Sequence, residues 1–165
     1  KASGIEVSES LVENGAIGIA AQLLERAGDK LILPKDVIVA DDMKVGAKKR
    51  CITVEHGVDV GYRIVDVGPE TVKLFEKYIS DAKMILWNGP MGAFEISDFA
   101  CGTNDIARSV AYSEAVSIVG GGDSASAMHQ SGYASRISHV STGGGAALEF
   151  LSGNILPAVE VLDQM

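Results

Sequence analysis

Two runs of three glycines mark where this chain could do chemistry. Gly120-Gly121-Gly122-Asp123-Ser124 follows the apolar run 116–119, and Ser141-Thr142-Gly143-Gly144-Gly145 follows the run 137–140. Each precedes a helix-like segment. Glycines let a backbone turn tightly and present N–H groups to an anion, and a helix start adds its positive end. Two such loops in succession read as phosphate-binding. Asp123 is a hard oxygen ligand suited to Mg²⁺, which takes one or two carboxylates plus phosphate oxygens. Ser124 offers a hydroxyl to a phosphate. Either residue reads equally well as a helix N-cap. A third loop, Trp87-Asn88-Gly89-Pro90-Met91-Gly92-Ala93-Phe94-Glu95, follows the run 83–87. Its Asn-Gly turn is of a kind that is commonly only structural.

Other chemistries are disfavoured. Residues 120–125 satisfy G-x-G-x-x-A, but no acidic residue lies between Asp123 and Glu149 to hold the ribose of a dinucleotide. The lysine-bearing G-x-x-x-x-G-K-[ST] loop is absent. His56, His129 and His139 have no metal-ligand spacing, and His139 reads as a hydrogen-bonded histidine in a buried strand. Cys51 and Cys101 are too few for a disulfide framework and read as free thiols in a reducing cytosol. With 22 acidic and 14 basic residues the net charge is -8. That field argues against nucleic acid and anionic membranes as partners. No apolar run approaches the roughly 18–20 residues of a membrane span, and no secretory start is present, so the expected location is cytoplasmic.

The elements that must hold these loops follow from apolar periodicity. Helices are expected over residues 10–27, 71–79, 98–111, 124–130 and 146–151. Strands are expected over 30–33, 37–40, 62–66, 83–87, 116–119 and 137–140. Residues 41–59 are charged and aperiodic and read as a surface excursion. At 165 residues, 47% hydrophobic and 19 glycines, one loop-rich globular domain is expected. Alternating strands and helices predict an α/β fold with a parallel sheet and its ligand loops at the carboxyl ends of the strands.

Several long motifs resemble phosphoglycerate kinases. The third loop is similar to that family's W-N-G-P-x-G-x-F-E. Gly120-Gly121-Gly122-Asp123-Ser124 is similar to its G-G-G-D-[ST], and residues 138–149 are similar to its S-H-[IV]-S-T-G-G-G-A-x-L-E. Leu31-Ile32-Leu33-Pro34, residues 36–41 and Asp66-Val67-Gly68-Pro69 match in order. The resemblance implies most of the C-terminal nucleotide domain, without the 3-phosphoglycerate domain. It implies a Rossmann-like three-layer αβα sheet with helices on both faces that lacks its first strands. Strand 37–40 would then be separated from 116–119 by a gap.

The activity implied is reversible transfer between 1,3-bisphosphoglycerate with Mg-ADP and 3-phosphoglycerate with Mg-ATP. Asp123 would hold Mg²⁺, Ser124 would touch the phosphate chain, and Gly120, Gly121 and Gly122 would bring backbone close to the nucleotide. Asn88 would face the phosphates and Glu95 would accept from ribose hydroxyls. Leu11, Val65 and Ala93 would line the adenine slot. Gly143, Gly144 and Gly145 would open a helix aimed at the phosphoryl group in flight. Lys1 stands where an initiator Met would be, and the chain reads as a piece inactive by itself. The alternative is a non-catalytic nucleotide-binding or structural fragment.

Overall fold

The computed structural model describes residues 1–163. The chain forms two compact units. One comprises Lys1–Lys77 and Met91–Ile106, and the other comprises Tyr78–Pro90 and the chain from Ala107 onward.

The first unit is built on an antiparallel sheet. Strands β1 (Asp36–Ala40), β2 (Lys49–Thr53) and β3 (Arg63–Val67) run in the order β2-β1-β3, and β1 is antiparallel to both neighbours. The sequence predicted parallel strands here. No α-helix separates these three strands in sequence, only a 3-10 turn at Val54–His56, and a parallel pair needs a crossover of a dozen or more residues, usually an α-helix. Instead the loop 41–48 closes a hairpin, with Asp41 N–H donating to Lys48 O at 3.1 Å and Lys48 N–H donating to Asp41 Oδ1 at 3.0 Å.

Strand β2 lies within the expected surface excursion. It is an edge strand that keeps Lys49 and Arg50 exposed, so its sequence carries no apolar alternation. Residues 30–33 form no strand. A 3-10 turn at Gly28–Lys30 precedes them, and Leu31 and Leu33 stay exposed. Helix α1 is Ile17–Ala27, shorter than expected, after a 3-10 turn at Asn14–Ala16. Val37, Val39 and Val58 form one small core, and Ala40, Val65 and Phe99 form another. Helices α2 (Pro69–Asp81) and α3 (Cys101–Tyr112) both begin in this unit.

The second unit carries the expected α/β parallel sheet. Strands β4 (Met84–Trp87), β5 (Val116–Gly120) and β6 (His139–Ser141) run in the order β4-β5-β6, every pair parallel. Helices α4 (Gly122–Gln130) and α5 (Gly144–Leu151) each follow a strand, and α6 is Pro157–Asp163. Among the described residues, strands β1 and β5 belong to different sheets.

Register aligns the carboxyl ends, with Trp87 opposite Val119 and Gly120 opposite Ser141. Ser117 and Ser138 exchange backbone N–H to hydroxyl bonds of 3.1 Å just before β6. The segment entering β6 is anchored by Arg136. Its guanidinium lies 4.1 Å from the Tyr112 ring centroid, and its Nε donates to Ala111 O at 3.3 Å. A cation over an aromatic face adds attraction to that bond.

Candidate functional site

Four helices have starts whose chemistry can be compared. Helix α2 begins at Pro69, beside Asp36 on β1. Asp36 Oδ1 accepts from Thr71 N–H at 2.7 Å and Oδ2 accepts from Glu70 N–H at 3.0 Å. The Thr71 hydroxyl adds a bond of 2.7 Å to Oδ1. Asp36 therefore caps α2 from another element. Burial pushes its carboxyl toward protonation, but the hydrogen bonds from Thr71 and Glu70 outweigh that and hold its pKa below the usual value. Gly68 is required here, because a Cβ would lie 2.3 Å from the Asp36 carboxyl carbon.

Asp66 on β3 does the same for α3, accepting from Gly102 N–H at 2.7 Å. It receives fewer donors and is 2% exposed. Burial dominates and pushes its pKa up to about 6. The Asp105 charge reinforces the rise, while the N–H groups of Gly102 and Val67 and the Lys49 charge oppose it.

Helices α4 and α5 start differently. Their N-caps are Gly121 and Gly143, and neither start has a side-chain cap bond. Asp123 is the second residue of α4 and exposed, so it is not the cap. The two starts meet. Gly121 N–H donates to Ser141 O at 3.0 Å, and a Cβ on Gly144 would lie 2.7 Å from Gly121 Cα. Gly121 has φ +105°, which side-chain-bearing residues rarely adopt. The Asn88 loop joins them. Asn88 Nδ2 donates to Gly120 O at 2.9 Å, and Gly89 N–H donates to Ser124 Oγ at 2.6 Å. Asn88, Gly121 and Gly144 thus cluster at the carboxyl edge of the parallel sheet. A hollow of about 1120 Å³ lies beside them, lined by Gly122, Asp123, Ser126, His129, His139 and Thr142.

Ser124 is 1% exposed and its oxygen accepts from Gly89. His139, expected in a buried strand, is exposed and lines the hollow, because among the described residues β6 pairs with β5 alone and is an edge strand. Sequence reasoning passed over His129 and His139 at this hollow, since their spacing carries no ligand signature.

The remaining expected residues lie in the first unit. A bulge in β3 skips Val65, whose carbonyl accepts Ala93 N–H at 2.9 Å. Val65 and Ala93 share the Ala40 and Phe99 core. Leu11 is fully exposed and lines a different, apolar hollow of about 530 Å³ with Leu23, Leu31, Leu33 and Ile64. Ile64, the neighbour of Val65, lines that hollow, whereas Val65 packs with Ala40 and Phe99. Glu95 is exposed.

Among the described residues no three His, Cys, Asp or Glu side chains cluster as a metal cage. Asp123 is a single exposed carboxylate beside two uncapped helix starts. That donor set fits Mg²⁺ completed by phosphate oxygens and water.

A parallel sheet whose edge loops open glycine-started helices defines an α/β protein with anion-ready loops at its strand ends. The family model for phosphoglycerate kinase matches residues 1–154, and the chain belongs to that family. It is 51% identical over 164 residues to a phosphoglycerate kinase of Rubrobacter xylanophilus, covering 99% of this chain and 42% of the relative. It is 47% identical over 162 residues to that of Pseudothermotoga lettingae, covering 96% of this chain and 41% of the relative. The solved phosphoglycerate kinase from Coxiella burnetii superposes with a TM-score of 0.90 at 44% identity, over 98% of this chain and 42% of that one. The Pyrococcus horikoshii enzyme gives 0.81 at 29% identity, over 98% and 41%. The chain thus spans about two fifths of the length of these relatives.

Proposed function

We propose that this chain supplies the Mg-nucleotide half of a reversible phosphoryl transfer between 1,3-bisphosphoglycerate with ADP and 3-phosphoglycerate with ATP. On this reading residues 1–165 are most of a C-terminal nucleotide domain working in the cytoplasm, and the acyl-phosphate substrate is held by chain outside them. The observation that supports it most is the meeting of two uncapped helix starts at Gly121 and Gly144. Phosphoryl transfer needs positioning and electrostatic stabilisation more than covalent chemistry from the protein.

Gly120, Gly121 and Gly122 bring the backbone close to the nucleotide, and the N–H groups from Gly122 onward that open α4 take its phosphates, with Asn88 beside them and Ser124 beneath. Asp123 would hold Mg²⁺, which when bound would supply positive charge against the phosphate oxygens. Gly143, Gly144 and Gly145 direct the start of α5 at the transferred group. Leu11, Val65 and Ala93 contribute to the adenine side and Glu95 to the ribose hydroxyls. Of these, Asn88 and the two glycine loops carry the most geometric support.

Titration calorimetry of the 165-residue chain with ADP, with and without Mg²⁺, tests the reading. Binding that tightens with Mg²⁺ supports it, and no binding at millimolar nucleotide overturns it. A coupled assay for ATP formation from 1,3-bisphosphoglycerate, with this chain alone, is expected to give no turnover. Measurable turnover would place the whole site within these residues.

A further inference from the structure

The short turn that carries Asn88 is gripped from both sides. Gly89 donates its N–H to Ser124 Oγ at 2.6 Å, and its carbonyl accepts from Trp87 Nε1 at 2.5 Å. Both gripping residues are buried, Trp87 at 5% and Ser124 at 1% exposure. Gly89 has φ +99°, so no side-chain-bearing residue fits this peptide without strain. The grip decides where the Asn88 amide goes. Its nitrogen donates to Gly120 O, and it lies 3.6, 3.4 and 3.4 Å from where Cβ atoms on Gly120, Gly121 and Gly144 would be. One amide nitrogen therefore bonds the first glycine loop at Gly120 and stands within van der Waals reach of the second at Gly144.

We propose that Ser124 and Trp87 are positioning residues that hold the Asn88-Gly89 turn, so that the Asn88 amide locks the two glycine loops into one preformed cradle for a nucleotide polyphosphate. This rests on the nucleotide reading above and changes the part Ser124 plays in it. Its hydroxyl oxygen accepts a buried N–H, and through that bond it acts on the turn. Removing it leaves that N–H unpaired and frees the turn to move. Trp87 works on the other face of the same peptide, and its ring also packs in the interior.

The test uses Mg-ADP as probe and the full 165-residue chain. Ser124→Ala should weaken Mg-ADP binding roughly tenfold, the scale of one lost buried hydrogen bond. Ser124→Thr, which keeps the hydroxyl, should restore it. Trp87→Phe keeps the ring, removes the N–H and should act in the same direction. In a double-mutant cycle Ser124→Ala should add no more than about twofold to the loss caused by Asn88→Ala. Residue-resolved hydrogen exchange of the ligand-free chain should show the Gly89 amide exchanging faster in Ser124→Ala and in Trp87→Phe.

Fully additive losses would mean that Ser124 meets the ligand on its own, and would overturn the proposal. So would an unchanged Gly89 exchange rate. If Ser124→Ala does not fold, Trp87→Phe carries the same cycle and the same exchange measurement. A wild-type chain that binds no Mg-ADP would sink the nucleotide reading, while Gly89 exchange would still decide whether the grip exists.

Discussion

Helices α2 and α3 begin under carboxylates from neighbouring strands, whereas α4 and α5 begin bare. In the first pair Asp36 and Asp66 fill the positive helix end with the chain's own charge. In the second pair glycine stands at the cap with no side-chain cap bond, and the Ser141 hydroxyl takes only the N–H of Gly143 itself, at 3.1 Å. Both arrangements follow a β-strand, and both need glycine for close approach. The difference is what completes the helix start. A carboxylate built into the fold makes a permanent cap, and a bare start leaves the same electrostatic demand for something that comes and goes. On the nucleotide reading proposed above, structure and binding use one physical device, sorted by whether the anion is covalently part of the chain.

The comparison breaks most visibly at Asp36. Asp36→Ala should lower unfolding stability by about 4 kcal/mol, because it removes a cap and strands the Glu70 and Thr71 donors inside the protein. Urea denaturation measures this. A loss under about 1 kcal/mol would show that the two kinds of helix start do not differ in the way described.

Asp66 sharpens the comparison through pH. Its folded pKa, about 6, lies above the ordinary 3.8, so the folded state holds the proton more tightly. Its contribution to stability is full below pH 3.8 and is lost as pH rises through 6. Relative to Asp66→Asn, which keeps an acceptor for Gly102 but does not titrate, the wild-type chain should lose on the order of 2–3 kcal/mol across that window. Parallel stability curves for the two proteins would contradict the cause assigned here.

Gly144→Ala attacks the bare pair. The new Cβ would press on Gly121 backbone, which cannot yield without separating the loops. Mg-ADP affinity should fall at least about tenfold, equivalent to about 1.4 kcal/mol, with the first unit's sheet intact by circular dichroism. Asp123→Ala should have the smallest effect on stability, leaving the urea midpoint where it was, because the carboxylate is exposed and caps nothing. It should abolish the gain in ADP affinity that Mg²⁺ brings. A chain whose Mg²⁺ dependence survives would have its metal ligand elsewhere.

The bare pair was the more legible half. Each of its loops announces itself by an apolar run, a glycine triplet and a helix pattern, so β5, α4, β6 and α5 fall within two residues of expectation. The capped pair was hidden. Asp36 and Thr71 are 35 positions apart, as Asp66 and Gly102 are 36 apart, and spacing of that kind carries no local signal. Strand β2 was illegible for a related reason. Its pattern reflects life at a sheet edge, with lysine and arginine turned to water, and an edge has no alternation to detect. The apolar run at 30–33 looked like a strand from β-branched and aliphatic content alone, but only a partner's hydrogen bonds make a strand.

Trp87 is the chain's single tryptophan. Its indole N–H is bonded to the carbonyl of Gly89, within the turn that carries Asn88. Emission excited near 295 nm, where tyrosine absorbs little, comes from this one ring and no other. An indole excited state is sensitive to the carbonyl dipole at its nitrogen and to any water that replaces it. The colour and lifetime of that light therefore report on one hydrogen bond at the heart of the cradle. The protein carries its own optical probe of the turn that holds Asn88.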